Sequence, residues 1–259
     1  MSKIFGLNAI QNDHPNLDVQ WADSINSTQQ SVKPNSVLIA DQQTAGVGRR
    51  GNRWLTPRGK SICFSYRFKL AAHTNQMSGY ALMVAVTIIQ AMKSFETTAD
   101  TTVKAQVKWP NDLYCEHKKF GGILINLKPS NPNSTTPNQL DITVGIGINW
   151  RLTQTQMQSV NQPICNIPLD KKPDRSIFIN HLIKQLNTNN PLFLAQGLNP
   201  FLKLWQQHDY LANKTVRVVQ DHATVSGQYA GITSQGQLQV SIDGVMKHFS
   251  GGEVSVRTI

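Results

Sequence analysis

Apolar residues fall along this 259-residue chain in two rhythms. Up to about residue 211, compact apolar runs alternate with long polar stretches. Val37-Leu38-Ile39-Ala40 is a solid run stopped by Asp41, as expected of a strand covered on both faces. Ile62 to Phe68 alternates, and Ala105 to Trp109, Phe120 to Leu127 and Ile142 to Ile148 read as further strands. Met77 to Phe95 is too long for a strand and apolar nearly throughout, so it is the expected core helix, its Met and aromatic residues serving as packing. Ser176 to Leu186 and Asn199 to His208 carry helical spacing, with Pro200 suited to a first turn. The polar stretch Lys128 to Gln139, KPSNPNSTTPNQ, predicts a hairpin loop.

After Tyr210 the rhythm shortens. Val216 to Val219, Val225 to Thr233, Leu238 to Ile242, Val245 to Phe249 and Val254 to Arg257 are brief runs separated by Gly and polar turns. Such spacing predicts a small all-β barrel of about 45 residues, with a boundary at Ala212.

Composition adds charge to this outline. Lys and Arg number 25 against 15 Asp and Glu, a net +10. Seven basic residues and no acid lie between Gly46 and Leu70, and five basic residues with two acids lie between Lys104 and Lys128. Elsewhere the signs balance. So local an excess beside glycine loops points to an anion site, while nucleic acid is the first partner that the total charge suggests. Cys63, Cys115 and Cys165 show no zinc-ligand spacing and read as reduced thiols. The N-terminus lacks the apolar stretch of a signal peptide. The longest apolar run, Tyr80 to Ile89, is about half a bilayer span, so a cytoplasmic protein with no membrane partner is expected.

The chemistry concentrates in three places. Gly46-Val47-Gly48-Arg49-Arg50-Gly51 matches a dinucleotide fingerprint, yet no helix opens there and no acid occurs between Asp41 and Glu96 to hold a ribose. Gly59-Lys60-Ser61 mimics the end of a phosphate-binding loop, but Trp54 stands where that loop needs glycine. What remains is an arginine-bearing glycine loop suited to anions, with Trp54 as an apolar lid or base-covering face. In the second place, Lys108-Trp109-Pro110-Asn111-Asp112 turns the chain after a strand. Asn111 offers a donor and an acceptor there, and Lys108 can face phosphate. Lys119 then stands just before Phe120-Gly121-Gly122. In the third, Val144 to Asn149 is a strand whose glycines leave room against the backbone.

ADQQTAGVGRRGNRW, KWPNDLY with KKFGGIL, and VGIGIN, in that order, resemble the biotin protein ligases. The resemblance runs from about Asp18 to the tail ending in Val254-Ser255-Val256-Arg257. It implies an α+β fold: a class II synthetase-like catalytic domain over residues 1–211, built on a mixed sheet with helices, and an SH3-like β-barrel over 212–259. The implied reaction activates biotin with ATP as biotinoyl-5′-AMP, with Mg²⁺ assisting, and transfers it to a lysine of the carrier domain of acetyl-CoA carboxylase.

Residue by residue, Ser24-Ile25-Asn26 is similar to the family's early Ser-Thr-Asn, with Ile25 lacking the hydroxyl, and Gln43 to the glutamine that closes over biotin. Gly46, Val47, Gly48, Arg49, Lys119, Gly121 and Gly122 complete the implied biotin set. Arg49, Arg50, Trp54, Lys108, Asn111, Asn149 and Arg257 form the implied nucleotide set. Val47 replaces an arginine of the family loop. Lys119 and Arg49 are the implied catalytic groups. No motif marks the Mg²⁺ ligands, and monomer and homodimer both fit.

About 20 residues precede Ser24, too few for a helix-turn-helix, so a ligase that binds no DNA is expected. A lipoate ligase, sharing fold and chemistry, and a non-enzymatic nucleic-acid-binding protein are the alternatives.

Overall fold

A computed structural model describes residues 6–96, 104–129, 139–220, 223–251 and 254–258. Its elements are α1 (Leu7–Asp13), β1 (Asp18–Ala22), α2 (Thr28–Ser31), β2 (Ser36–Ala40), β3 (Ser61–Ala71), α3 (Tyr80–Lys93), β4 (Gln106–Lys108), β5 (Asp112–Cys115), β6 (Lys118–Pro129) and β7 (Gln139–Asn149). They continue with α4 (Gln154–Gln158), α5 (Arg175–Gln196), α6 (Asn199–Gln207), β8 (Thr215–Val219), β9 (Thr224–Ile232), β10 (Leu238–Ile242), β11 (Val245–Phe249) and β12 (Ser255–Thr258).

Seven strands form one mixed sheet in the order β1-β2-β3-β7-β6-β5-β4. The β1–β2 pair is parallel and the remaining neighbours are antiparallel. The period of two sorts the side chains. Along β7, Leu140, Ile142, Val144, Ile146 and Ile148 are buried in the core, as are Ile62, Phe64, Tyr66 and Phe68 of β3, together with α3 and α5. The alternate residues, Cys63 and Ser65 of β3 and Gly145 and Gly147 of β7, face the other side, where they line a cavity. The expected Lys128–Gln139 hairpin joins β6 and β7, which pair antiparallel, while residues 130–138 of that connection lie outside the described residues.

Several boundaries differ from expectation. The core helix begins at Tyr80, because Gly79 is left-handed at φ 80 and packs on Gly236. Helix α5 runs ten residues beyond Leu186 and through Pro191. Tertiary contacts hold it there: Tyr66 Oη donates to Asn187 at 2.9 Å, Tyr80 Oη donates to Asn190 at 2.7 Å, and Asn189 donates to Thr87 at 2.8 Å. Within KWPNDLYC a short strand, β5, follows the turn, and the Trp109–Pro110 peptide is cis.

The C-terminal strands form a five-stranded antiparallel sheet, β11-β10-β9-β8-β12. All five expected runs are strands. No pairing of β11 with β12 closes them among the described residues, so the module is an open sheet there and not the closed barrel the short runs predicted. It docks on the larger unit through Trp109 Nε1, which donates to the Gly236 carbonyl at 2.9 Å, and Tyr229 Oη, which donates to Asp209 at 2.6 Å. No described helix is long and apolar enough to cross a membrane.

Candidate active site

A cavity of about 820 Å³ lies on the sheet face opposite α3, roofed by the segment between β2 and β3. Its floor is the glycine-bearing middle of β7 and β6. A Cβ at Gly147 would stand 2.4 Å from Trp54 Nε1, and one at Gly145 2.2 Å from Gln29 Oε1, so only glycine leaves room for these side chains.

A β-bulge puts Lys119 into this site. Strict alternation would place Lys119 on the same face as Gly121, towards the core. Asp112 pairs with Gly122 and Leu113 with Gly121, but Tyr114 pairs with Lys119, so Phe120 is the extra residue. The alternation resets, and Lys119, Asp112 and Gly122 share the cavity face. Lys119 Nζ lies 2.7 Å from Asp112 Oδ1 and 5.4 Å from the centre of the Trp54 ring. Asp112 is the one carboxylate among the described residues lining the cavity, and no described cluster of His, Cys, Asp or Glu forms a ready metal site.

The opposite end is neutral and tightly bonded. Gln43 Oε1 accepts from Thr28 N at 2.8 Å and Thr28 Oγ1 at 3.1 Å, while its Nε2 donates to Thr56 Oγ1 at 3.1 Å. Ser65 Oγ lies 2.9 Å from Thr28 Oγ1 and 3.0 Å from Gln29 Oε1. Two buried polar atoms of the lining residues, Ser27 Oγ and Trp54 Nε1, have no partner among the described residues, whereas buried polar groups ordinarily find partners. Cys63 also lines the cavity. Burial pushes its thiol up to about 12, so it stays protonated and is no nucleophile.

Arg49 closes the roof. Its Nη1 donates to Asn111 Oδ1 at 3.0 Å and its Nη2 to the carbonyl of Gly251, which follows β11 in the C-terminal module. Asn111 Nδ2 in turn donates to the Ile123 carbonyl at 2.6 Å. Burial lowers the Arg49 guanidinium from its ordinary value, the carboxylate of Asp112 working against that, and it remains charged.

Of the residues singled out from sequence, Gln43, Val47, Gly48, Arg49, Arg50, Trp54, Asn111, Lys119 and Gly122 line this cavity. Others lie outside its lining. Ser24 and Asn26 are exposed, and on that segment the lining residues are Ser27, Thr28 and Gln29. Ile25 bridges to Gln43 through the backbone, and Gly46 packs against the Trp54 carbonyl. Gly121 faces Leu113. Lys108 sits over the rings of Tyr114 and Tyr210, at 5.1 and 5.7 Å. Asn149 is buried and donates to the carbonyls of Lys119 at 3.3 Å and Cys165 at 3.0 Å, bracing the start of β6. Arg257 is exposed on β12. The sequence reading missed Ser27, Thr28, Gln29, Ser65 and Asp112. A Ser-Thr pair immediately before a helical turn was the available signal for the first two.

Fold and site together define a mixed-sheet protein with one cavity that is neutral and hydrogen-bonding at one end and cationic at the other. Residues 19–149 match the biotin/lipoate A/B protein ligase family, and residues 212–257 match the biotin protein ligase C terminal domain. The bifunctional ligase/repressor BirA of Escherichia coli (strain K12) is 31% identical over 228 residues, covering 88% of this chain and 68% of that protein. Biotin–protein ligase 2 of Arabidopsis thaliana is 27% identical over 248 residues, covering 87% and 70%. Among solved structures, the biotin protein ligase of Aquifex aeolicus in complex with biotin and ATP superimposes with a TM-score of 0.73 at 23% identity, covering 94% of this chain and 99% of that one. The chain belongs to the biotin/lipoate A/B protein ligase family and carries the C-terminal domain of its biotin protein ligases.

Proposed function

We propose that this protein activates biotin with ATP as biotinoyl-5′-AMP and transfers the biotinyl group to a lysine of a carrier domain, that of acetyl-CoA carboxylase being the expected acceptor. The supporting observation is a single cavity that joins a hydrogen-bonding neutral end, at Ser27, Thr28 and Gln43, to a cationic end at Lys119 and Arg49. The ureido ring of biotin suits the first end and its carboxylate the second.

In the first step a biotin carboxylate oxygen attacks the α-phosphorus of ATP. An O–P bond forms, the bond to the β-phosphate oxygen breaks, and pyrophosphate leaves. The protein supplies no nucleophile. It holds two anions together and neutralises the growing charge, which Lys119 and Arg49 are placed to do. Mg²⁺ is expected to arrive on the ATP phosphates, with Asp112 as the carboxylate available to it and charge neutralisation as its contribution. In the second step the acceptor amine attacks the mixed anhydride carbonyl, AMP leaves, and the amine loses a proton. Water excluded by the Arg49 roof and Trp54 would otherwise hydrolyse the adenylate.

Lys108, Asn149 and Arg257, outside the lining, are assigned to support of the nucleotide end. The boundary at Ala212 belongs to the same proposal, as does a cytoplasmic site of action. DNA binding forms no part of this reading, because Arg49, Arg50, Arg53 and Lys119 line the cavity. Pyrophosphate exchange assayed with biotin and with lipoate, followed by mass spectrometry of an isolated carrier domain, tests the assignment. Exchange driven by lipoate alone would replace biotin with the related substrate, and exchange with neither would end it.

A further inference from the structure

Residues 42–60 leave the sheet between β2 and β3 and return as a hairpin-like excursion, with Gln43 N donating to Thr56 O at 3.3 Å, Trp54 N to Gly46 O at 2.9 Å and Gly48 N to Asn52 O at 2.7 Å. The tip carries Arg49 into the cavity roof. The base is fastened elsewhere, by an ion pair that touches neither the cavity nor the tip. Asp41, the residue that ends β2, accepts from Gly59 N at 3.1 Å and from Arg175 Nη2 at 2.8 Å, with Arg58 Nη1 3.7 Å away. Arg175 opens α5, and its Nη1 donates to the Ser61 carbonyl at 2.9 Å. One guanidinium thus spans both stems of the excursion and ties them to the helical layer. Asp41 is 9% exposed and the Arg175 side chain 18%, so the pair is largely shielded from water. Neither residue lines the cavity.

We propose that Asp41 and Arg175 are positioning residues: they fix the splay of the two stems and so deliver Arg49 in register to Asn111 and to the Gly251 carbonyl, keeping the roof shut over the activated intermediate. The tip's two hydrogen bonds form only if the loop arrives at the right place, and a misplacement of about 1 Å far from the chemistry costs as much as ~100-fold in rate. The intermediate itself rests on the ligase reading; the mechanical claim does not.

Two measurements test this. Arg175→Met removes both donors and keeps an apolar stem, while Asp41→Asn keeps the shape and an acceptor for Gly59 N. Ligand-free protein is digested briefly with trypsin, and cuts after Arg49, Arg50 and Arg53 are compared by mass spectrometry with cuts after Lys203 and Lys247. Loss of a charge-assisted bond should speed the loop cuts about 10-fold or more, with the other two unchanged and Arg175→Lys restoring part of the protection. With biotin and ATP, the fraction of adenylate escaping to solution should rise more than the pyrophosphate-exchange rate falls. Loop cuts that stay at the wild-type rate, or rise only in step with the others, in a variant of native circular dichroism would overturn the proposal. Should Arg175→Met fail to fold, Asp41→Asn carries the same ratio. If the wild type makes no adenylate, the ligase reading fails and the clamp is judged on the trypsin ratio alone.

Discussion

The two ends of the cavity are built on opposite plans. At the neutral end Thr28, Gln29, Gln43 and Ser65 hold one another across α2, β3 and the stem of the roof, in bonds of 2.8 to 3.1 Å. At the cationic end Arg49 is held by a turn and by a carbonyl just after β11, and Lys119 is aimed by a bulge. A pre-built neutral end suits discrimination, since its polar groups are already oriented and punish a ligand that leaves them unpaired. A roof closed by contacts between distant elements suits a step that must open for reactants and shut against water.

If the contrast holds, substitutions at the two ends should fail in different ways. The largest effect is expected from Lys119→Ala, which should slow adenylate formation at saturating biotin and ATP ~100-fold to ~1,000-fold, a larger loss than any in biotin affinity, while leaving circular dichroism close to wild type. Near-normal pyrophosphate exchange would remove Lys119 from the mechanism. Gln43→Leu should do the reverse: it strands the Thr28 N–H, so biotin affinity by calorimetry should fall ~10-fold to ~100-fold with a smaller loss of turnover at saturation. An unchanged dissociation constant would mean that the neutral end is not where biotin is read. Arg49→Gly should come next, releasing adenylate and raising stray biotin on bystander lysines about 10-fold, as expected for the loss of a hydrogen bond to a charged group. Labelling confined to the carrier would show that the roof is shut by something else.

The smallest expected effect lies at the junction of the two sheets. Burial raises Asp209 from 3.8 to about 6, with the hydrogen bonds from Tyr229 and the Leu211 backbone opposing it. The folded protein therefore favours the protonated acid. Its contribution is fully present below about pH 4 and is lost as pH rises through about 6, because the unfolded chain gives up that proton more readily. Asp209→Asn should flatten the slope of melting temperature between those values and leave the slope at higher pH alone. A slope unchanged in the variant would assign it to another group.

Much of this plan was legible in the residues. The solid run at Val37 to Ala40, the alternation in β3 and the glycines of β7 marked the central strands because burial on one or both faces imposes those periods. The short Asp18–Ala22 strand was not legible: its pattern mixes polar and apolar residues, and only its parallel pairing with β2 makes it a strand. Pro191 hid the second half of α5, since its helical state depends on partners more than 100 positions away in sequence. At the site, glycines and basic residues announced the cationic end. The lining residues Ser27 to Gln29 were not singled out beside Ser24 to Asn26, because sequence does not tell which hydroxyls a one-turn helix points inward. Asp112 was read as a turn former; its pairing with Lys119 depends on the extra residue at Phe120.

The acceptor that Arg49 finds in the C-terminal module is a backbone oxygen at Gly251, two residues past β11. Any residue type offers such an oxygen, so this link between the two parts of the chain is blind to side-chain identity and sensitive to the path of the turn alone. Descendants of this protein can therefore rewrite most of the small sheet's surface without losing the latch. A single inserted residue between Phe249 and Gly251 should uncouple it. Grafts of the C-terminal module between distant relatives should accordingly succeed or fail by the number of residues between β11 and Gly251, with percentage identity a poor guide.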